Sequence, residues 1–301
     1  MEKARFKWVL RERNRKIAAK TEVFTEQQAR RVRSFHSSFK EYSPTPLIEL
    51  TSLAQHLGIK NLFVKDESYR FELNAFKVLG GSFAIGSYIA NELGEDIDDL
   101  PYMRLVSDEV RSLLGSKTFI TTTDGNHGRG VAWTANRLKQ QAIVYMPQGS
   151  AAERLANIRA EGAQAEITDM NYDDTVRYTS ELAQKNGWII VQDTAWDGYT
   201  RIPLWIMQGY MTMALEAYEQ LPVKPTHIFL QAGVGSLAGS VQGFFADIYG
   251  SSCPLTFIVE PKGADCLYQT AAANDGSLHS VTGRLETIMA GLACGEPNSI
   301  A

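Results

Sequence analysis

From residue 118 onward the chain alternates short apolar runs with longer amphipathic ones, and this alternation constrains the fold more than any other feature. Residues 118–123, 142–146, 165–168, 188–192, 226–230 and 255–259 are short, rich in β-branched and aromatic side chains, and read as strands. Residues 131–138, 151–160, 173–183, 204–218 and 237–248 lie between them and carry apolar side chains at helical spacing. Parallel strands need a crossover long enough for a helix, and repeated strand–helix units place helices on both faces of a parallel sheet. The predicted class is therefore α/β. The first third is less regular. Residues 25–32 carry helical signals, Ser43-Pro44-Thr45-Pro46 ends any helix, residues 47–50 and 61–66 read as strands, and a helix over 51–57 stops at Gly58.

The chain has 301 residues, enough for one large domain or two smaller ones, and no linker-like segment marks a boundary. If there are two domains, the chain crosses between them near residues 80 and 190. A formal net charge of −4 gives no electrostatic reason to expect nucleic acid or an anionic membrane as partner. No apolar run reaches bilayer length, and residues 1–20 are basic and polar, unlike a secretory signal, so a cytosolic address is the default expectation. Cys253, Cys266 and Cys294 show no metal-ligand spacing and read as reduced thiols, with a Cys266–Cys294 bridge as the minor alternative.

Four stretches carry candidate chemistry. Asn74-Ala75-Phe76-Lys77-Val78-Leu79-Gly80-Gly81 sets a lysine at the head of an apolar helix running to Leu93. Flanked by Phe76 and Val78, Lys77 faces desolvation, which favours the neutral amine, a nucleophile toward an aldehyde. The alternative is a lysine snorkelling at a helix end. Thr123-Asp124-Gly125-Asn126-His127-Gly128-Arg129-Gly130 follows a strand. Its glycines would let backbone pass close to a ligand, its N–H groups could hold a carboxylate, and Asn126 offers an amide donor. Equally, it is a capped turn, with Asp124 as N-cap and His127 on the helix surface. Ala232-Gly233-Val234-Gly235-Ser236-Leu237 opens a helix after an apolar strand, the layout of a phosphate cradle, although it lacks the Gly-Lys-Ser/Thr of a P-loop and tight packing alone would also explain it. Asp193 closes an apolar strand, as a helix cap or as an active-site carboxylate.

Together and in this order, the lysine motif, the Gly-Asn-His-Gly turn and the small-residue loop resemble the fold-type II pyridoxal-phosphate enzymes over residues 40 to about 262. Within that group the match is to the diaminopropionate ammonia-lyases, on Asn74-Ala75-Phe76-Lys77, Thr123-Asp124-Gly125-Asn126-His127-Gly128, Gln192-Asp193-Thr194-Ala195-Trp196 and Ala290-Gly291-Leu292-Ala293-Cys294-Gly295-Glu296-Pro297. The resemblance implies two three-layer α/β/α domains with mostly parallel sheets: a large cofactor-binding domain from residues 1–79 and 191–301, and a small one from 80–190. It implies pyridoxal 5′-phosphate as cofactor, held by Lys77 as a Schiff base, with Phe76 packed near the ring, Asn126 on its phenolic oxygen, and Ala232, Gly233, Val234, Gly235, Ser236 and Leu237 around the phosphate. Thr123, Asp124, Gly125 and His127 would grip the substrate carboxylate, and Asp124 and Asp193 set this family apart from the serine and threonine dehydratases. The implied reaction is α,β-elimination of D- and L-2,3-diaminopropionate to pyruvate and two ammonia, in a homodimer. Members run on beyond a position equivalent to Ala301, in a part that completes the large sheet and partners the pyridine nitrogen. A dehydratase, or a non-catalytic fragment that binds the cofactor, are the competing expectations.

Overall fold

The computed structural model describes residues 6–11, 21–123 and 125–301; Asp124, and with it the acid expected in the second turn, lies outside them, as does most of the basic N-terminal stretch. Helix α1 (Glu26–Ser37) starts where the Thr25 side chain accepts from the Gln28 N–H, a cap that satisfies one of the helix's free donors. Strand β1 (Leu47–Glu49), helix α2 (Thr51–Leu57) and strand β2 (Phe63–Lys65) follow, with β1 and β2 pairing antiparallel. Helix α3 (Lys77–Leu93) is the central element. Short helices α4 (Tyr102–Leu105) and α5 (Asp108–Leu114) lead into β3 (Thr118–Thr122), α6 (Asn126–Arg137), β4 (Gln141–Met146), α7 (Ala152–Ala160), β5 (Gln164–Ile167), α8 (Tyr172–Asn186) and β6 (Ile189–Ile190). Strands β3 to β6 form one parallel sheet in the order β5-β4-β3-β6. The chain continues as α9 (Arg201–Gln220), β7 (His227–Gln231), α10 (Ser236–Tyr249), β8 (Leu255–Val259) and α11 (Cys266–Ala273), with β7 and β8 parallel.

The α/β class stands, and so do most of the elements read from periodicity. The ends differ instructively. The run 188–192 was expected to be a strand throughout, yet only Ile189 and Ile190 pair as one. The side-chain carbonyl of Gln192 accepts the Thr122 N–H at 3.1 Å and the Thr121 hydroxyl at 3.0 Å, so a side chain takes over from the backbone ladder and frees the chain to turn. Helix α6 begins at Asn126 rather than near Val131, and its preceding residue Gly125 makes no side-chain cap bond. Ser299 and Ile300 form a turn near the start of α10, and just before it the Asn298 N–H donates to the Val234 carbonyl at 2.7 Å.

Helix α3 is apolar almost all round because it is covered on both sides, by α6 and by α9. Its residues Val78, Leu79, Phe83, Ile85 and Ile89 sit in a core shared by α1, α6, β3, β4 and α9. A second core packs α9 against α10 through Met207, Met211, Leu215, Val241 and Phe244. On β7 and β8, by contrast, Phe229, Phe257, Ile258 and Val259 are exposed. Among the described residues Cys253, Cys266 and Cys294 form no disulfide. No helix among the described residues is long and apolar enough to cross a membrane.

Candidate active site

A cavity of about 780 Å³ opens where the carboxyl ends of β3 and β7 meet the start of α3. That is the expected place, since ligands of parallel α/β sheets sit beyond the carboxyl ends of the strands. The walls bring together Phe76, Lys77, Thr123, Asn126, His127, Asp193 and the turn from Ala232 to Leu237. Thus residues drawn from four separate stretches of the sequence face one space. Gly125 is buried just before Asn126, and its N–H is tied to the Thr123 hydroxyl at 2.9 Å.

Lys77 is the first residue of α3, with 23% of its side chain exposed, and its Nζ ion-pairs with Asp193, whose side chain is 8% exposed. Burial pushes the lysine toward the neutral amine, but the adjacent carboxylate outweighs it and holds the ammonium well above the ordinary lysine range. The same pair works in reverse on Asp193: burial disfavours its charge, and Lys77 with His127 still holds it down to about 2. The expected neutral amine is therefore corrected. Position and desolvation are as read, but a carboxylate that no local pattern joins to Lys77 keeps the lysine charged in this state.

The turn before α10 fits a phosphate. Gly235 has a φ of +103° and precedes the first helical residue without any side-chain cap, so the first N–H groups of α10 face the cavity end unclaimed by a capping oxygen. A Cβ at Gly233 would lie 3.1 Å from Cys294 Sγ, closer than a side chain sits without displacing its neighbour. A lysine amine, an amide at Asn126 and this cradle are the donor set that an aldehyde with a phosphate tail requires, and pyridoxal 5′-phosphate fits the residues present.

Other residues were not singled out from the sequence. Asn298 is buried, and its side chain accepts the Ala195 N–H at 3.2 Å while donating to Ser236 Oγ at 2.8 Å. Ser236 Oγ in turn donates to the Asp193 carbonyl at 2.5 Å. Asn298 thereby joins the Asp193 loop to the candidate phosphate turn across a hundred residues of sequence, a link that no motif announces. Arg154 and Tyr172 also line the cavity, Arg154 beside Gly125. Two of the glycines expected to admit a ligand serve packing instead: Gly128 and Gly130 lie inside α6, and a Cβ there would strike Thr123 and the Val78 backbone respectively. His127 is not on the helix surface; its ring is buried and its Nε2 bonds the Val191 carbonyl at 2.7 Å, which ties the start of α6 to the end of β6.

Residues 39–301 match the family model described as pyridoxal-phosphate dependent enzyme. The diaminopropionate ammonia-lyase of Salmonella typhimurium is 54% identical over 274 residues, which are 90% of this chain and 68% of that protein. The enzyme of the same name from Escherichia coli K12 is 51% identical over 282 residues, 92% of this chain and 69% of that one. Crystal structures of the Escherichia coli enzyme, one holo with selenomethionine and one in complex with D-serine, superpose with a TM-score of 0.86 at 51% identity, again over 92% of this chain and 69% of theirs. The motifs, the fold and the cavity therefore agree with the comparisons: this chain belongs to the pyridoxal-phosphate dependent enzymes and, within them, to the diaminopropionate ammonia-lyase family.

Proposed function

We propose that the chain eliminates the β-amino group of 2,3-diaminopropionate, D or L, with pyridoxal 5′-phosphate as cofactor, giving pyruvate and two ammonia. One observation carries this assignment: a lysine and a carboxylate, Lys77 and Asp193, meet on the wall of the cavity that also holds Asn126 and the Ala232–Leu237 turn. Lys77 would hold the cofactor through a Schiff base, Phe76 would lie by its ring, Asn126 would donate to its phenolic oxygen, and the N–H groups from Gly233 to Leu237 would take its phosphate. When bound, the cofactor ring accepts the electron pair left at the substrate α-carbon.

The residues supply the proton chemistry. Lys77, once displaced by substrate, is the base on one face of the α-carbon, and Asp124 is assigned to the other face, so that both enantiomers react. An amine departs well only when it carries a proton, and Asp193, ionised beside Lys77, would hold the substrate's second amine in its ammonium form. Serine and threonine lack that ammonium. Thr123, Gly125 and His127, at the start of α6, would orient the substrate carboxylate. The product left after elimination hydrolyses to pyruvate and the second ammonia. The family's Escherichia coli structure with D-serine supports a site that admits D-configured amino acids. A division into a large domain of residues 1–79 with 191–301 and a small one of 80–190, a homodimeric assembly and a cytosolic address complete the proposal; equilibrium sedimentation checks the dimer.

A coupled pyruvate assay tests the activity. Diaminopropionate of both configurations is expected to yield pyruvate well ahead of serine. Faster turnover of serine would assign the chain to dehydratase chemistry, and no turnover of either by a protein that retains cofactor would leave a binding fragment. Asp124→Asn is expected to slow one enantiomer far more than the other; equal effects on both would remove Asp124 from its role.

A further inference from the structure

Tyr210 carries a buried polar group that the proposed reaction leaves unused. It lies in α9 with no exposed surface, and its Oη makes no hydrogen bond of ordinary geometry although the Lys77 side chain lies close enough to act on it. Its ring meets Phe76 edge-on at 5.2 Å between centroids. It also packs against Gly80, one turn along α3 from Lys77, where an added Cβ would be 2.7 Å from Tyr210 Cε1 and 2.9 Å from Cζ. The missing side chain at Gly80 is thus what admits the phenol to the start of α3. Burying a hydroxyl without a partner is unfavourable, so a site that needed only the ring would be served better by phenylalanine.

The titratable groups acting on the Lys77 nitrogen are Asp193 beyond β6, Cys294 in the C-terminal segment and Tyr210 on α9, each of which favours the ammonium when it carries a negative charge, while His127 of α6 acts on Asp193. An ionised carboxylate only accepts, so Asp193 supports the ammonium and offers nothing to a neutral amine. A hydroxyl does both: it accepts from an ammonium and donates to the lone pair of a neutral amine. Burial holds the Tyr210 hydroxyl above the usual tyrosine range, so it keeps the proton it would donate.

We propose that Tyr210 is a positioning residue for Lys77, its hydroxyl donating to the lysine nitrogen in the neutral state and holding it at the cavity wall beside Phe76. The role rests on Lys77 being the reactive lysine. Asp193 and Tyr210 then divide the work: the carboxylate stores the lysine as a cation, and the phenol receives it once the proton has gone. No proton need leave Tyr210 for this.

The test reads the lysine without the cofactor. Cofactor-free protein is methylated with formaldehyde and cyanoborohydride across a pH series, and Lys77 modification is followed by mass spectrometry in wild type and Tyr210→Phe. The phenylalanine variant keeps the ring contacts to Phe76 and Gly80. Its Lys77 is expected to need a higher pH for half-maximal rate and to react roughly three- to tenfold more slowly at pH 8, as loss of one net hydrogen bond implies. Exposed lysines in the same digest are expected to be unchanged, and the melting temperature equal or higher, since only an unpaired hydroxyl is removed. A superimposable Lys77 profile would overturn the proposal. Should the variant not fold, fluorinating the Tyr210 ring makes the phenol a stronger donor at the same shape, and the Lys77 midpoint is expected to fall; no movement would again overturn it. Because formaldehyde replaces the cofactor, this result stands or falls separately from the lyase assignment.

Discussion

Lys77 shows what a residue's sequence neighbours reveal and what they leave out. Phe76, Val78 and the glycine pair predict a desolvated lysine at a helix start, and the structure places it there. They carry no trace of Asp193, 116 residues away, whose charge decides the protonation state. Asp193→Asn removes that charge while leaving the burial, so the ammonium loses its support and the pH midpoint of Lys77 modification is expected to fall by about one to three pH units. A buried ammonium that can shed its proton avoids the full cost of a broken ion pair, so the fold should survive the change. Turnover should not: loss of a group that positions the transferred proton costs about 10²- to 10⁴-fold. Amine titration by reductive methylation and the pyruvate assay measure the two effects. A lower lysine midpoint with unchanged turnover would show that Asp193 serves only to store the charge.

At the scale of elements, the site depends on how closely α3 lies against its two neighbours. A Cβ at Gly130 of α6 would come within 2.9 Å of Val78 Cα and 3.3 Å of the Lys77 carbonyl carbon, and one at Gly209 of α9 within 2.3 Å of the Leu79 oxygen. The obstacles are backbone atoms, which cannot rotate away. Gly130→Ala is therefore expected to destabilise the fold by about 1–3 kcal/mol and, because the displaced backbone is that of Lys77, to weaken cofactor binding as well. Thermal denaturation and a cofactor titration check it; lost stability with intact affinity would mean that α3 yields elsewhere. Gly130 was legible in the sequence as a close approach and Gly209 was not, and even for Gly130 the letter does not say what approaches: a glycine that faces a ligand and one that faces a helix look the same. For the same reason the turn at Ala232–Leu237 could be read, since its small residues follow an apolar strand directly. Asn298 could not, because its partners Ala195 and Ser236 are brought to it only by tertiary packing.

Across the whole molecule, the α/β alternation was legible because each unit is local, whereas the shared core that holds α1, α3 and α9 together is assembled from distant segments. Two buried polar knots lie in it. The Arg70 guanidinium is fully buried and reaches Glu216 at 2.7 and 2.8 Å and Glu67 at 2.8 Å, while Glu216 also accepts from Lys65, Tyr42 and Thr45. Every charge in this network has a partner, and Glu216→Ala, which would strand Arg70, is expected to cost about 3–5 kcal/mol in denaturant unfolding. His36 is buried between Thr212 and the Leu79 carbonyl, where burial, then the charge of Arg70, lowers its pKa to about 3. The unfolded chain binds a proton at His36 near its ordinary 6.5, so from pH 6.5 down to 3 the unfolded state gains protons that the folded state refuses. Stability should therefore fall with pH through that window, by about 2 kcal/mol at pH 5 from this group alone. In His36→Gln this part of the pH dependence should disappear; a slope equal to wild type would remove His36 as its source. The proposed function requires the Lys77 amine to lie within reach of an aldehyde anchored at the Ala232 turn. Reducing the protein with borohydride after addition of pyridoxal 5′-phosphate, then mapping the labelled peptide by mass spectrometry, tests this directly: the label is expected on Lys77 and to be lost in Lys77→Ala, whereas a label on other lysines with Lys77 unmodified would contradict it.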